Sequence, residues 1–185
     1  DDSWCLEASI GFGAITEISE NAYSLEFTYD SQLPIGGFQF TLSGVNIAGF
    51  AGGAAGDAGF FVSFSNDTGI ILGVDINGDN LIPAGQGVLT NAFIQITDSE
   101  ACLSELVLSD DDGNQIMNAS ASGCFELPCP ADADADGVCD LEDDCVGAYD
   151  CDSVCNGDAI EDNCGTCDND SSNDCVQDCA DVWGG

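Results

Sequence analysis

The chain has 35 aspartate and glutamate residues but no lysine, arginine or histidine, so its formal net charge is -35 over 185 residues. Its side chains cannot form a salt bridge with one another, and the repulsion between carboxylates opposes any compact fold. We therefore expect divalent cations to be part of the folded structure. Because phosphates are bound mainly through lysine and arginine, the composition excludes nucleic acid and anionic membrane surfaces as direct partners.

The twelve cysteines are an even number, which predicts disulfide bonds formed in an oxidising, extracellular compartment. Zinc is the competing interpretation for the C-G-T-C sequence at Cys164 and Cys167, but the acidic surroundings and the lack of histidine favour a hard cation. No apolar run approaches the ~18 residues that span a bilayer, and Asp1 and Asp2 do not begin a signal peptide. We interpret the chain as a mature or excised piece of a secreted or cell-surface protein.

Composition divides the chain into two modules, residues 1–127 and 128–185. The first contains 13 of the 15 aromatic residues and three of the twelve cysteines, and the second contains the other nine cysteines. A module as long as the first can bury a hydrophobic core. The second is too short and too polar to do so, and it must be held together by disulfides and metal.

Apolar and polar residues alternate along most of the first module, as they do in half-buried strands. Turns rich in glycine and proline separate these runs, including one at residues 52–56, and no segment has a helical period. The predicted strands are residues 4–12, 14–19, 23–29, 38–42, 45–50, 59–64, 69–75, 88–97 and 103–109. The pattern predicts an all-β fold built as an antiparallel β-sandwich of the jelly-roll type.

Three motifs in this module have a familiar order: I-G-G-F-Q-F-T-L-S-G at residues 35–44, I-I-L-G-V-D at 70–75 and I-P-A-G-Q-G-V-L-T at 82–90. This order resembles the cohesin-like sandwich of secreted scaffold and surface proteins, across residues 4–126. The resemblance implies a flat face that is presented to a protein partner.

Two weaker features also lie in the first module. Asp75, Asn77 and Asp79 occupy positions 1, 3 and 5 of a possible calcium loop, for which a polar hairpin turn is the alternative. Cys102 and Cys124 flank the last two strands and are expected to form a disulfide. Cys5 would then pair with a cysteine of the tail, such as Cys129.

The most specific motif is A-D-A-D-A-D-G-V-C-D-L-E-D-D at residues 131–144. Gly137 stands at the sixth position of a twelve-residue calcium loop, where glycine permits the sharp turn. Position 12 is aspartate instead of glutamate, so Asp144 is a candidate to complete the site, and a solvated acidic linker is the alternative. The ligands predicted from this spacing are Asp132, Asp134, Asp136, the Val138 carbonyl, Asp140 and Asp143.

This segment resembles a thrombospondin type 3 repeat, a family in which calcium ions and disulfides replace a hydrophobic core. The resemblance implies the same ligands and an irregular tail stabilised by disulfides and calcium. Further along, D-C-D-S-V-C-N-G-D at residues 150–158 recurs as D-C-A-D-V-W-G-G at 178–185, similar to the tandem repeats of large secreted surface proteins. Further candidate calcium ligands in this part of the tail, each with solvated charge as the alternative, are Asp158, Asp162, Asp168, Asp170, Asp174 and Asp178.

Sequons at Asn66, Asn118 and Asn169 predict surface glycans if the source organism glycosylates the protein. Catalysis is not predicted, because the usual general bases, Schiff-base lysines and anion clamps are absent. A glycosidase with two carboxylates remains the only enzymatic candidate, and nothing in the sequence groups its possible residues. Those residues are Glu7, Glu26, Glu105 and Glu126.

The sequence therefore predicts a non-enzymatic, extracellular, calcium-binding structural protein, a subunit or repeat of a surface fibre, filament or cell-wall scaffold. We expect copies or neighbouring repeats to join head to tail, with calcium at the junction. The alternative is a cohesin-like module that binds a protein or a glycan, as in cell adhesion.

Overall fold

The computed structural model describes residues 7–78 and 80–184. The chain divides into two compact units, Asp1–Pro128 and Cys129–Gly185. Trp4, Cys5 and Asp79 lie outside the described residues, so the predictions made for them have no structural counterpart here. No helix in the described part of the chain is long and apolar enough to cross a membrane.

The described residues of the first unit form two five-stranded sheets and one short helix. One sheet has the strand order β4-β7-β2-β1-β9, and the other has the order β10-β8-β3-β6-β5. The elements in chain order are β1 (Glu7–Ser19), β2 (Ala22–Ser31), β3 (Gly37–Ser43), β4 (Val45–Ala51), α1 (Gly53–Asp57), β5 (Phe61–Phe64), β6 (Ile70–Val74), β7 (Gly85–Ile96), β8 (Glu100–Ser109), β9 (Asn118–Ala121) and β10 (Cys124–Glu126).

Apolar side chains from the two sheets share one core. The rings of Phe27 on β2 and Phe40 on β3 lie 5.2 Å apart between centroids, and both side chains are fully buried. Phe38 stacks on Phe40 at 6.0 Å. The alternation of apolar and polar residues thus places one face of each sheet in the core, and the predicted all-β sandwich is confirmed.

The first sheet departs from a purely antiparallel arrangement. Residues 4–12 and 14–19 were expected to be separate strands, but 7–19 form one strand whose register against β2 shifts between Phe12 and Ile15. A β-bulge keeps the pairing continuous here. In addition, β1 pairs in parallel with β9, from Glu7 opposite Asn118 to Ile10 opposite Ala121. The strands β9 and β10 were not predicted, because they are only four and three residues long.

The glycine-rich stretch at residues 52–56, expected to be a turn, contains the five-residue helix α1. Ala55 is its buried residue and joins the core. Gly53 has a φ of 67° and lies so close to the Leu89 carbonyl that a Cβ atom would collide with it. Glycine therefore lets the helix approach β7 closely.

The second unit has almost no hydrophobic core. Cys145 is its only buried residue among those described, and its strands are the two-residue pair β11 (Ile160–Glu161) and β12 (Cys167–Asp168). Four disulfides hold the rest, as the predicted disulfide-stabilised tail requires. They join Cys129 to Cys139, Cys145 to Cys155, Cys151 to Cys167 and Cys164 to Cys175.

The disulfide pattern corrects one expectation and argues against the zinc alternative. Cys129 is bonded to Cys139, ten residues away, and so does not pair with Cys5. Cys164 and Cys167 belong to two different disulfides, which removes the thiolates that a zinc site would need. In the first unit, Cys102 is bonded to Cys124. In the second unit, Cys179 is an exposed free cysteine.

Candidate metal site

The predicted calcium loop is closed at its base by covalent and hydrogen bonds. The Cys129–Cys139 disulfide joins a residue just before the loop of residues 132–143 to a residue inside it. The Asp140 N–H donates to the Ala131 carbonyl at 2.9 Å, and the Ala133 N–H donates to Asp140 Oδ1 at 2.8 Å. One oxygen of Asp140 is therefore used to hold the loop together.

Three carboxylates converge inside this loop. Oxygens of Asp132, Asp134 and Asp136 all lie within 4.8 Å of one another. The chain can turn this tightly because Ala135 and Gly137 have positive φ angles of 59° and 94°. Alternate side chains consequently face the same point, as the spacing predicted.

Backbone N–H groups fix the orientation of these carboxylates. The Gly137 N–H donates to Asp132 Oδ2 at 3.2 Å, and the Val138 N–H donates to Asp136 Oδ1 at 2.8 Å. The Asp136 N–H donates to Asp134 Oδ1 at 3.4 Å. Each bond uses one lone pair of a carboxylate that has about four acceptor positions, so acceptors remain for a cation.

Asp143, at the last position of the loop, has an unusual environment. Its Oδ1 accepts the Cys145 N–H at 2.8 Å. Its Oδ2 is buried, and no group in the described residues donates a hydrogen bond to it. A buried carboxylate oxygen without a donor is costly, and a bound cation would offset that cost. Asp140 and Asp143 do not belong to the group of mutually close oxygens, and Asp144 is exposed.

The donor set fits a hard cation. Its convergent atoms are carboxylate oxygens, which calcium prefers, and Cys129 and Cys139 are bonded to each other. A second group of close potential ligands contains Glu100, Cys102 and Cys124, but its two sulfurs form a disulfide. Among the described residues, only the loop therefore offers three convergent carboxylates.

The possible loop at Asp75 has the geometry of a polar turn. Asp75 Oδ1 accepts the Asn77 N–H at 3.1 Å, and Oδ2 accepts both the N–H and the side-chain amide of Asn80 at 2.8 and 3.1 Å. The Gly78 N–H donates to the Asp75 carbonyl. These donors favour the hairpin-turn alternative for Asp75 and Asn77.

A recurring turn accounts for several other acidic residues. In each copy, Oδ1 of an aspartate accepts the backbone N–H groups two and four positions later, at 2.8–3.0 Å. The residue three positions later has a positive φ between 62° and 86°. We call this arrangement the aspartate turn, and it begins at Asp110, Asp150, Asp162 and Asp178.

The aspartate turn favours a structural role for two of the predicted calcium ligands, Asp162 and Asp178. Asp162 also accepts the Cys175 N–H through Oδ2 at 3.2 Å. The hydrogen bond from the Thr166 N–H is the main cause that lowers the pKa of Asp162 below 3.8. Sequence reasoning missed this motif, although its signal is visible: an aspartate stands three positions before glycine, serine or aspartate.

The remaining tail aspartates are separate from the loop trio. Asp168 accepts the Asp170 N–H at 2.9 Å and the Asn173 amide at 2.7 Å. Ser172 donates to Asp170 through its side chain and backbone, which lowers the pKa of Asp170. Asp158 accepts the Asn169 amide at 3.3 Å, and Asp174 is exposed.

The sequon asparagines are exposed, and the side chains of Asn66 and Asn169 form hydrogen bonds. Asn66 Oδ1 accepts the Ile47 N–H at 2.8 Å, and Asn66 Nδ2 donates to the Ile47 carbonyl at 3.0 Å. This pair of bonds covers part of the free edge of β4. Asn169 Nδ2 donates to Asp158, and Asn118 begins β9.

The outer face of the sheet β10-β8-β3-β6-β5 carries an apolar patch. Leu72 on β6 and Val107 on β8 flank Gln39 on β3, and they are 39% and 40% exposed. Phe61 on the edge strand β5 is 57% exposed. The glutamates considered for a glycosidase are distributed over four strands, β1 and β2 in one sheet and β8 and β10 in the other.

The fold is similar to that of solved cohesins. A non-cellulosomal cohesin from the archaeon Archaeoglobus fulgidus is 15% identical, with a TM-score of 0.50 over 66% of this chain and 91% of the cohesin. The third ScaC cohesin of Acetivibrio cellulolyticus, solved with the ScaB dockerin, is 13% identical, with a TM-score of 0.49 over 65% of this chain and 98% of that chain. The seventh ScaB type I cohesin of Pseudobacteroides cellulosolvens is 12% identical, with a TM-score of 0.48 over 66% of this chain and 92% of that chain.

At these identities the likeness concerns the fold alone, and it confirms the cohesin-like sandwich. No family model and no curated protein matches the chain. The resemblance of the tail to thrombospondin type 3 repeats stays a prediction.

Proposed function

We propose that the protein is an extracellular, calcium-binding structural module without catalytic activity. The observation that carries this proposal is the loop at residues 132–143, where three carboxylates converge and a buried oxygen of Asp143 has no donor among the described residues. A hard divalent cation attracts several oxygens at once, so it binds the three convergent carboxylates and draws in Asp143, which lies outside their group in this structure. The five disulfides are typical of an oxidising, extracellular compartment.

In this proposal, Asp132, Asp134, Asp136 and Asp143 supply carboxylate oxygens, and Val138 supplies its carbonyl. The ion also reduces the repulsion between carboxylates that have no cationic side chain to pair with. Because the second unit has almost no core, binding energy takes the place of hydrophobic burial.

Isothermal titration calorimetry of the full chain with calcium tests this proposal. Replacing Asp143 by Asn should weaken calcium binding about ten-fold or more, since ligand charge sets the affinity of such loops. Asp144→Asn is the matched control, because it makes the same charge change at the exposed neighbouring position. Equal losses in the two variants would remove Asp143 from the site, and a wild-type chain that binds no calcium would refute the function.

Chelation gives a second readout. A ligand that binds only the folded state at a thousandfold excess over its dissociation constant contributes about 4 kcal/mol. Residues 129–185 should therefore be cleaved faster in EDTA, while cleavage of the sandwich should change little. The protease must cut at acidic or apolar residues, since trypsin has no site in this chain.

We further propose that the structural role is assembly, in which copies or neighbouring repeats join head to tail with calcium near the junction. The support is electrostatic: surfaces this acidic repel at close range unless a cation lies between them. Light scattering during removal and return of calcium measures particle length. Filaments whose length ignores EDTA would contradict the calcium junction, and a strict monomer in calcium would contradict assembly.

The second candidate function is recognition of a protein through the apolar patch of Phe61, Leu72 and Val107. The patch lies on a flat sheet face, which suits a partner with a complementary apolar surface. If this candidate is correct, Leu72→Asp should abolish capture of a single partner from the native source. Phe93→Asp, at a residue equally exposed on the other sheet, should leave capture unchanged.

A further inference from the structure

The metal loop is connected to the chain that follows it by more than the peptide backbone. The Gly147 N–H donates to Asp134 Oδ2 at 2.7 Å, across thirteen residues. The Cys145 N–H donates to Asp143 Oδ1 at 2.8 Å. Two of the four proposed carboxylate ligands therefore also accept N–H groups from residues 145–147.

Residues 145–147 are in turn held to the beginning of the repeat. Cys145 is bonded to Cys155, and the Asn156 side chain donates to the Val146 carbonyl at 3.1 Å. The Asn156 N–H donates to the Ala148 carbonyl at 2.8 Å. Gly147, with a φ of 141°, packs so closely on Asn156 that a Cβ atom would collide with its side chain. We call residues 145–157 the coupled segment.

A carboxylate has two oxygens, and in Asp143 and Asp134 the two oxygens have different partners. In Asp143, Oδ1 accepts the Cys145 N–H while the buried Oδ2 has no donor among the described residues. In Asp134, Oδ2 accepts the Gly147 N–H, and Oδ1 has only the longer contact of 3.4 Å with the Asp136 N–H. Each side chain can thus hold a cation with one oxygen and the coupled segment with the other.

Resting on the proposed function, we propose that calcium in the loop orders the coupled segment, so that the site controls the stiffness of the repeat that follows. The ion fixes Asp134 and Asp143 in the orientation that the N–H groups of residues 145 and 147 require. Ion binding then already includes the conformational entropy lost when these two side chains are ordered. Docking of the coupled segment no longer requires that loss. Because coupling between two events is reciprocal, an ordered segment must also raise the affinity for calcium by the same factor.

The test compares two alanine variants of the full chain. Asp134→Ala and Asp136→Ala each remove one carboxylate of the trio, but only Asp134 accepts an N–H from the coupled segment. Calorimetry first gives the calcium affinity of each chain, and hydrogen exchange of peptic peptides is then measured without calcium and at saturation. Calcium should slow exchange of residues 145–157 about ten-fold in the wild type and in Asp136→Ala, because hydrogen bonds to charged groups are strong. In Asp134→Ala the slowing should be mostly lost, although calcium is bound.

The outcomes separate the two proposals. If the wild type binds calcium and the two variants respond alike in residues 145–157, the coupling is refuted and the calcium site stands. If the wild type binds no calcium, both are refuted. The reciprocal arm uses the double variant Cys145→Ser and Cys155→Ser, which frees the segment without removing a carboxylate. Its calcium affinity should fall about ten-fold, matching the change in exchange, and an unchanged affinity would also refute the coupling.

Discussion

Repulsion between carboxylates opposes folding in both units of this chain, and each unit is stabilised against it by different interactions. In the sandwich, burial of apolar side chains such as Phe27 and Phe40 stabilises the fold, and one disulfide, Cys102–Cys124, lies at its end. In the second unit only Cys145 is buried among the described residues, and four disulfides join segments that lie 10 to 16 residues apart.

The difference shows how a chain without cationic side chains can place its carboxylates. In the second unit, backbone N–H groups act as the positive partners. The aspartate turns at Asp150, Asp162 and Asp178 each direct two N–H groups at one oxygen. The described part of the sandwich uses the same device at Asp110, in the connection after β8. Hydrogen bonds to a charged acceptor are roughly twice as strong as neutral ones, so backbone geometry partly replaces both salt bridges and a core.

Reduction of the disulfides should produce the largest difference in stability between the two units. Each bond in a small domain contributes about 2–4 kcal/mol, and the second unit has little else to hold it. We expect residues 129–184 to lose protection from hydrogen exchange completely in a strong reductant, while the strands of the sandwich stay protected. Alkylated Cys102→Ser/Cys124→Ser protein is the control for the single bond of the first unit. Equal loss in both units would contradict the contrast drawn here.

The core substitution Phe40→Ala should destabilise the sandwich and leave the second unit unchanged. Phe40 is fully buried between Phe27 and Phe38, so its truncation leaves a cavity and costs about 3–5 kcal/mol. Denaturant unfolding followed by strand circular dichroism should show that loss. Exchange in residues 129–184 should not change, and Ile160→Ala, at a residue 75% exposed, should leave unfolding unaltered. A sandwich that tolerates Phe40→Ala would refute a fold held by its core.

Sequence patterns predicted the sandwich well because its rules are local and repetitive. Alternation along residues 23–29 and 38–42 places Phe27 and Phe40 in the core, and turn residues mark the ends of strands. The strand β9 was missed because its four residues, N-A-S-A, carry little apolar signal, and its position depends on pairing with β1. Such pairing is a tertiary event, which overrides local preference.

The candidate site was also predicted only in part. Alternate spacing in residues 131–137 was enough to bring Asp132, Asp134 and Asp136 together. It could not separate aspartates whose carboxylates converge on one point from aspartates whose carboxylates are used to accept backbone N–H groups, because both roles use the same side chain. Asp162 was proposed as a ligand, yet three backbone donors surround its carboxylate. That distinction depends on where the chain turns, and a positive φ at Gly165 decides it.

Acidification should loosen the aspartate turn at Asp162. Hydrogen bonds from Thr166, Cys164 and Cys175 lower the pKa of Asp162 below its ordinary value of 3.8. The fold thus favours the ionised carboxylate, and the stabilisation is present above pH 3.8 and is lost as the pH falls through the lowered pKa. Amide chemical shifts of Thr166 and Cys175 should report this transition. Asp162→Asn should abolish it, and a transition above pH 3.8 would contradict the geometry.

The smallest effect is expected at Asn66, which joins the hairpin between β5 and β6 to the edge strand β4. Its side chain accepts the Ile47 N–H and donates to the Ile47 carbonyl, in the manner of a neighbouring strand. Asn66→Asp keeps the acceptor and removes the donor, so one carbonyl loses its partner and the sandwich loses about 1 kcal/mol. Asn46→Asp makes the same chemical change at an exposed residue of β4 itself and serves as the control. Chemical denaturation measures both, and mass spectrometry of the native protein reports whether Asn66 carries a glycan. If Asn66→Asp and Asn46→Asp had equal stability, the two bonds to Ile47 would contribute nothing to the fold, and the free edge of β4 would need another explanation for its protection.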